Sequence, residues 1–181
     1  MQPLSETEIR QSFVNCSKGE AKRLNLPRDF AGTAWSELDF LGWRDQGAPD
    51  RGYLVVPLAG AAVGLTLRVP PSSRRSLLRT SMCSLCTTRH PSSGVTLFAA
   101  RKEGAAGRRG NTVGTYICAD LACSLYIRGR RTPDVLPVKE TLSLEDRIAR
   151  VEENLAELVD AVRNQGLSFD SATRPPRPSA T

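Results

Sequence analysis

Met82-Cys83-Ser84-Leu85-Cys86 and Cys118-Ala119-Asp120-Leu121-Ala122-Cys123, with 31 residues between the two pairs, decide how this chain is read. A C-x2-C turn presents two sulfurs, and a C-x4-C segment running into a helix presents two more. Together they form the tetrahedral all-thiolate set of a zinc site, here Cys83, Cys86, Cys118 and Cys123. Four thiolates leave no open coordination position, so the expected role of one Zn2+ is structural rather than hydrolytic. Redox chemistry at the C-x-x-C and an iron–sulfur cluster are the competing readings, but no thioredoxin-like βαβ pattern surrounds the pair. His90, the single histidine, stands at C-x2-C-x3-H spacing and is given a supporting or surface place beside the four sulfurs.

Between the pairs, Gly94–Arg101 reads as a strand, Gly104–Gly110 as a mobile basic glycine-rich loop and Thr112–Ile117 as a returning strand; Ala119–Ile127 reads as a short helix. The loop lacks the G-K-[ST] ending of a phosphate-binding loop. No G-x-S-x-G elbow or paired catalytic carboxylate spacing occurs, so the chain is not expected to be an enzyme.

Upstream, Ser5-x-x-Glu8 is a capping box, and Ile9, Phe13 and Cys16 at helical spacing predict an opening helix that buries the Cys16 thiol. A second helical piece spans Ala21–Leu26 and stops before Pro27. Trp35, Leu38, Phe40 and Trp43 are apolar anchors of the core or of a partner surface, with Trp35 and Trp43 read as core. Arg51–Leu58 and Ala62–Val69 form a β-hairpin, with Pro57 at a strand end or edge. Downstream, Arg74–Thr80 reads as basic and helical. Residues 136–141 are a linker, and 142–166 form an amphipathic or coiled-coil helix with Leu144, Ile148, Val151, Leu155, Leu158 and Val162 on one stripe. Either that stripe pairs two copies as a homodimer or it packs back on the preceding domain. Residues 167–181 read as a disordered tail.

A chain of 181 residues with 40% hydrophobic content forms one domain with a sizeable core, residues 1–135, followed by the helix. No long apolar run and no basic, apolar leader is present, which predicts a cytoplasmic protein without membrane contact. Net charge is +6, unevenly placed: residues 1–70 carry 8 basic and 8 acidic side chains, 71–131 carry 11 and 2, and 132–181 carry 6 and 9. Arginine outnumbers lysine 21 to 4, which discounts single arginines, but composition bias alone would not deplete acids from one segment. The middle segment points to an anionic partner.

Met82-Cys-Ser-Leu-Cys86 and Gly110-Asn-Thr-Val-Gly-Thr-Tyr-Ile-Cys118-Ala-Asp-Leu-Ala-Cys123-Ser-Leu-Tyr-Ile-Arg-Gly129, with Ser12-Phe-Val-Asn-Cys-Ser-Lys-Gly-Glu-Ala21 and Leu38-Asp-Phe-Leu-Gly-Trp-Arg-Asp45 upstream, resemble the elongation factor G-binding family over residues 5–131. The best-known members are fusidic-acid-resistance proteins of the FusB type. The elements read above predict an α+β fold, N-terminal helices against an antiparallel sheet followed by a C-terminal helix and disordered tail, and the resemblance implies that a treble-clef zinc finger at about 75–131 completes the domain. It further implies binding to elongation factor G and promotion of its release from the ribosome. The four cysteines take the family's zinc-ligand places. Contact candidates, chosen from chemistry and position, are Arg101, Lys102, Arg108, Arg109, Tyr126 and Arg128. The chain departs from the resistance proteins in having 82 residues, including a β-hairpin, before Cys83 where they have a substantial helical bundle, so binding without drug resistance is one expectation. A basic zinc-finger protein that holds RNA or DNA through 71–131 is the alternative, disfavoured by a segment whose aromatics are only Phe98, Tyr116 and Tyr126.

Overall fold

Two capping boxes set the first two helices. Ser5 and Glu8 satisfy each other's backbone N–H groups at the start of α1 (Glu6–Ser12), and Ser17 and Glu20 do the same for α2 (Lys18–Arg23). The computed structural model describes residues 1–71, 80–135 and 140–164. The basic segment expected over 74–80, all but its last residue, most of the 136–141 linker and the 167–181 tail therefore lie outside the described residues.

α1 ends earlier than the Ile9, Phe13, Cys16 spacing predicts. Phe13 is extended and bridges Gly64 in parallel, with Val14 N donating to Gly64 O at 3.0 Å. Glycine is required there, because a Cβ on Gly64 would lie 2.6 Å from Ser12 Oγ and 2.9 Å from Phe13 Cγ. Cys16 is consequently half-buried beside a groove rather than in the core. Burial still pushes its thiol up to about 11, which keeps it protonated and unreactive at neutral pH. α2 starts at Lys18 rather than Ala21 because Ser17 supplies the cap.

Five antiparallel strands form the main sheet. β1 (Leu41–Arg44), β2 (Arg51–Leu58) and β3 (Ala61–Arg68) make a meander. β4 (Ser81–Met82) and β5 (Arg89–His90) form a separate two-stranded ribbon, and β6 (Val95–Arg101) with β7 (Thr112–Cys118) completes the order β1-β2-β3-β6-β7. Pro57 pairs with Ala62 but lies beyond the end of β1, where its missing N–H leaves no ladder bond unmade. β3 and β6 share only Leu67↔Ala100 and Arg68↔Ala99. Asn15 clips this narrow seam: its Nδ2 donates to Thr66 O at 3.0 Å and Arg101 O at 3.1 Å, and its Oδ1 accepts from Thr66 N at 2.7 Å.

Strand alternation sorts the core in two. Leu54, Val56, Val63, Leu65, Leu67, Phe98 and Ile117 join one cluster, while Tyr53, Val55, Leu41 and Trp43 join Ile9 and Leu24 in another. α5 (Leu144–Arg163), capped by Ser143, buries Val151, Leu155, Leu158, Val159 and Val162 in the first cluster. Of the two uses of its apolar stripe, packing on its own domain is the one the structure shows. No helix among the described residues is long and apolar enough to cross a membrane.

Candidate metal centre

The β4–β5 ribbon turns through Cys83-Ser84-Leu85-Cys86, with Thr87 N donating to Cys83 O at 2.9 Å and Cys83 N to Thr88 O at 3.0 Å. Cys118 ends β7 and Cys123 opens α4 (Cys123–Ile127). This brings four buried sulfurs within 4.8 Å of one another, Cys83 to Cys123 at 3.7 Å and Cys86 to Cys118 at 3.5 Å. Four sulfurs on a tetrahedron at a Zn–S distance of about 2.3 Å stand about 3.8 Å apart, so the set fits zinc; disulfides, at about 2.05 Å, are excluded. Hydrogen bonding to Cys118 first of all drives the Cys83 and Cys86 thiols down, while fully buried Cys123 is driven well up. Four thiols this close cannot all ionise without a cation between them. The cluster is the site of one structural Zn2+, which cross-links the ribbon, β7 and α4.

A second layer of side chains covers the sulfurs. His90 Nε2 lies 3.2 Å from Cys118 Sγ, the supporting place expected of it. The Tyr126 ring packs edge-on against His90 with centroids 4.6 Å apart. Tyr126 OH donates to Asp120 Oδ2 at 3.0 Å, and Arg131 pairs with the same oxygen at 2.6 Å. Burial and Asp120 together push the Tyr126 hydroxyl up to about 12. Asp120 Oδ1 accepts from Ala122 N, tightening the turn between Cys118 and Cys123.

The six contact candidates end up in different surroundings. Arg101 is exposed at the end of β6. Lys102 Nζ donates to Asn164 O at 3.1 Å, at the end of α5. Arg108 and Arg109 are exposed, but at the end of a short helix, α3 (Gly104–Arg108), which Arg109 caps, rather than on the mobile loop expected. Within it Gly107 packs directly on the Lys102 carbonyl, where a Cβ would lie 1.8 Å from the oxygen. Tyr126 is part of the zinc cover. Arg128 makes two 2.6 Å hydrogen bonds to buried Asp39 and keeps only 15% of its side chain exposed. Arg130 and Arg131 pair with Glu37 and Asp120. The 11-to-2 imbalance of residues 71–131 is thus partly neutralised by acids from the N-terminal region.

Sequence reasoning missed the largest exposed apolar side chains of the finger. Met82 is 58% and Tyr116 55% exposed, and Ser84 N donates to Tyr116 O at 2.7 Å, which places them on adjoining chain segments. Alternation along β7 carried the signal: Ile117 points in, so Tyr116 points out.

A zinc-binding ribbon, a β-hairpin and a helix closing on one four-thiolate site define a treble-clef zinc finger. Residues 8–162 match the FBP C-terminal treble-clef zinc-finger family, and the chain belongs to it. That match includes α5. Among solved structures, the chain is similar to the fusidic acid resistance protein FusC, with 16% identity and a TM-score of 0.56 over 90% of this chain. The likeness covers 60% of FusC, so this chain spans well under two thirds of that protein. No curated protein matches the chain.

Proposed function

We propose that this protein is a non-enzymatic binder of elongation factor G that promotes the factor's release from the ribosome. Family membership and the likeness to a fusidic acid resistance protein support this reading, and the bare surface of the finger carries it. A filled thiolate sphere leaves the metal no substrate position, so function is assigned to the surface that zinc holds in shape. Tyr116 and Met82 offer an apolar anchor beside β7, and Arg108 and Arg109 at the far end of the β6–β7 hairpin supply positive charge for steering. Release follows if the binder prefers the free factor, or one of its conformations, over the ribosome-bound state; the shift equals that differential affinity.

The test is direct binding to purified elongation factor G at two salt concentrations. Tyr116→Ala should raise the off-rate about tenfold or more. Reversing Arg108 and Arg109 to Glu should slow association at low salt and flatten its salt dependence. A folded, zinc-loaded wild type that does not bind the factor overturns the reading.

A further inference from the structure

Between α2, the β1–β2 connection and the β3–β6 seam runs a groove of about 900 Å³, a size within the roughly 300–1,000 Å³ of small-molecule sites. None of the zinc ligands lines it. Four arginines from four separate segments do: Arg23 ends α2, Arg51 opens β2, Arg68 closes β3 and Arg101 closes β6.

Elsewhere the arginines that form ion pairs find their carboxylates closely. The pairs of Arg10, Arg128, Arg130, Arg131 and Arg150 measure 2.6–3.1 Å. In the groove, among the described residues, only Arg68 comes within 4.0 Å of a carboxylate, at 3.9 Å from Asp50. Acids are not lacking, because Glu20, Asp45 and Asp50 line the same groove. Two of the three are engaged by other donors. Asp45 accepts from Tyr53 OH, Asn25 Nδ2, Gly47 N and Ala48 N. Glu20 caps α2 by accepting from Ser17 N and Oγ, and these bonds hold its carboxyl below the usual range, with Arg101 and Arg68 adding at longer reach. Arg51 reaches toward the Tyr53 hydroxyl, which already donates to Asp45.

Guanidinium donors therefore outnumber the acceptors open to them, and the planar donor fork suits phosphate oxygens. The rest of the lining includes Val69, Pro70 and Pro71, consecutive apolar side chains against which a flat ring can rest. A ligand that answers both needs carries a phosphate ester and a ring body. We propose that this groove binds a nucleotide phosphate, free or as a link of single-stranded RNA, with Arg23, Arg51, Arg68 and Arg101 on the phosphate oxygens. The site is separate from the finger surface assigned to elongation factor G and stands or falls independently of it.

The experiment uses the full, zinc-loaded chain at low salt. Calorimetry with AMP and ATP, and fluorescence anisotropy with a labelled five-nucleotide uridine RNA, measure affinity; uridine and an acidic hexapeptide are the comparison ligands. Arg23→Ala with Arg101→Ala should weaken nucleotide or RNA binding tenfold or more, with zinc content and circular dichroism unchanged. Arg89→Ala with Arg163→Ala removes the same charge outside the groove and should change affinity less than twofold. Tighter binding of ATP than RNA identifies the free nucleotide as the source, and the reverse identifies RNA; each supports the proposal. Absence of binding to all nucleotides and RNA overturns it. So does a preference for the acidic peptide, or an equal loss in the two double variants.

Discussion

Phe13, Trp43 and Tyr53 pack with ring centroids 5.0–6.5 Å apart against β1–β3, whereas the finger half of the sheet closes over four sulfurs. The meander has two eight-residue strands, β2 and β3, and an aromatic cluster whose polar ends are satisfied, Trp43 Nε1 on Asn25 O at 2.8 Å and Tyr53 OH on Asp45 at 2.9 Å. In the finger, β6 and β7 have seven residues each, but the β4–β5 ribbon has two-residue strands and α4 has five residues, too short to persist on their own propensity. Apolar burial suffices for the first region, while the second needs a cross-link. Yet the sulfurs sit in one buried cluster with β2, β3 and α5, so failure of the cross-link is felt well beyond the finger.

The largest effect should come from the metal. Chelation removes a contribution of about 10–16 kcal/mol, comparable with the roughly 5–15 kcal/mol of a whole domain, and Cys118→Ala removes a large part of it. The finger and α5 should then unfold, and hydrogen exchange should show the amides under the aromatic cluster as the last protected. A metal-free protein that keeps β6–β7 protected would erase the contrast. Next comes Leu155→Glu, which puts an unpaired charge into the shared core. It should lower stability by about 3–5 kcal/mol with no change in mass by light scattering; a fall in mass would instead reveal a second copy on α5. Asn15→Ala tests the seam. It strands Thr66 N and two carbonyls and should cost about 2–3 kcal/mol, read by denaturant melts, with exchange rising at both β3 and β6. The smallest effect has the opposite sign. Thr87 is a β-branched residue at φ 56° in the turn after Cys86, a left-handed conformation that favours glycine. Thr87→Gly should stabilise by about 0.5–1 kcal/mol, seen as slower zinc loss to a chelator.

What the sequence made legible was local. The cysteine spacing, the capping box at Ser5 and the hairpin at Arg51–Arg68 each involve residues whose roles are set by neighbours a few positions away. What stayed hidden depends on distant partners. Phe13 leaves the helix because Gly64, 51 positions on, opens room for its backbone. Arg128, a contact candidate by its position, is held by Asp39, 89 positions earlier. Gly104–Gly110 carried every mark of a loop, yet Gly104–Arg108 is helical and Gly107 lies flat on the Lys102 carbonyl. At the site, all four sulfurs were readable, and Tyr126, three past Cys123, stood where it could cover the metal, but its partners Asp120 and Arg131 were not, since that pairing depends on how the turn folds.

The order of synthesis gives α5 a further role. All four ligands leave the ribosome before Leu144 does, so a nascent chain can capture its ion while the way in is still open. When α5 arrives, Asn154 donates to Leu85 O at 2.8 Å and Arg150 to Cys86 O at 3.3 Å, seating the helix on the ribbon. Loading is then expected to precede docking of α5, whereas exchange in the finished molecule is expected to wait on the undocking of its last helix.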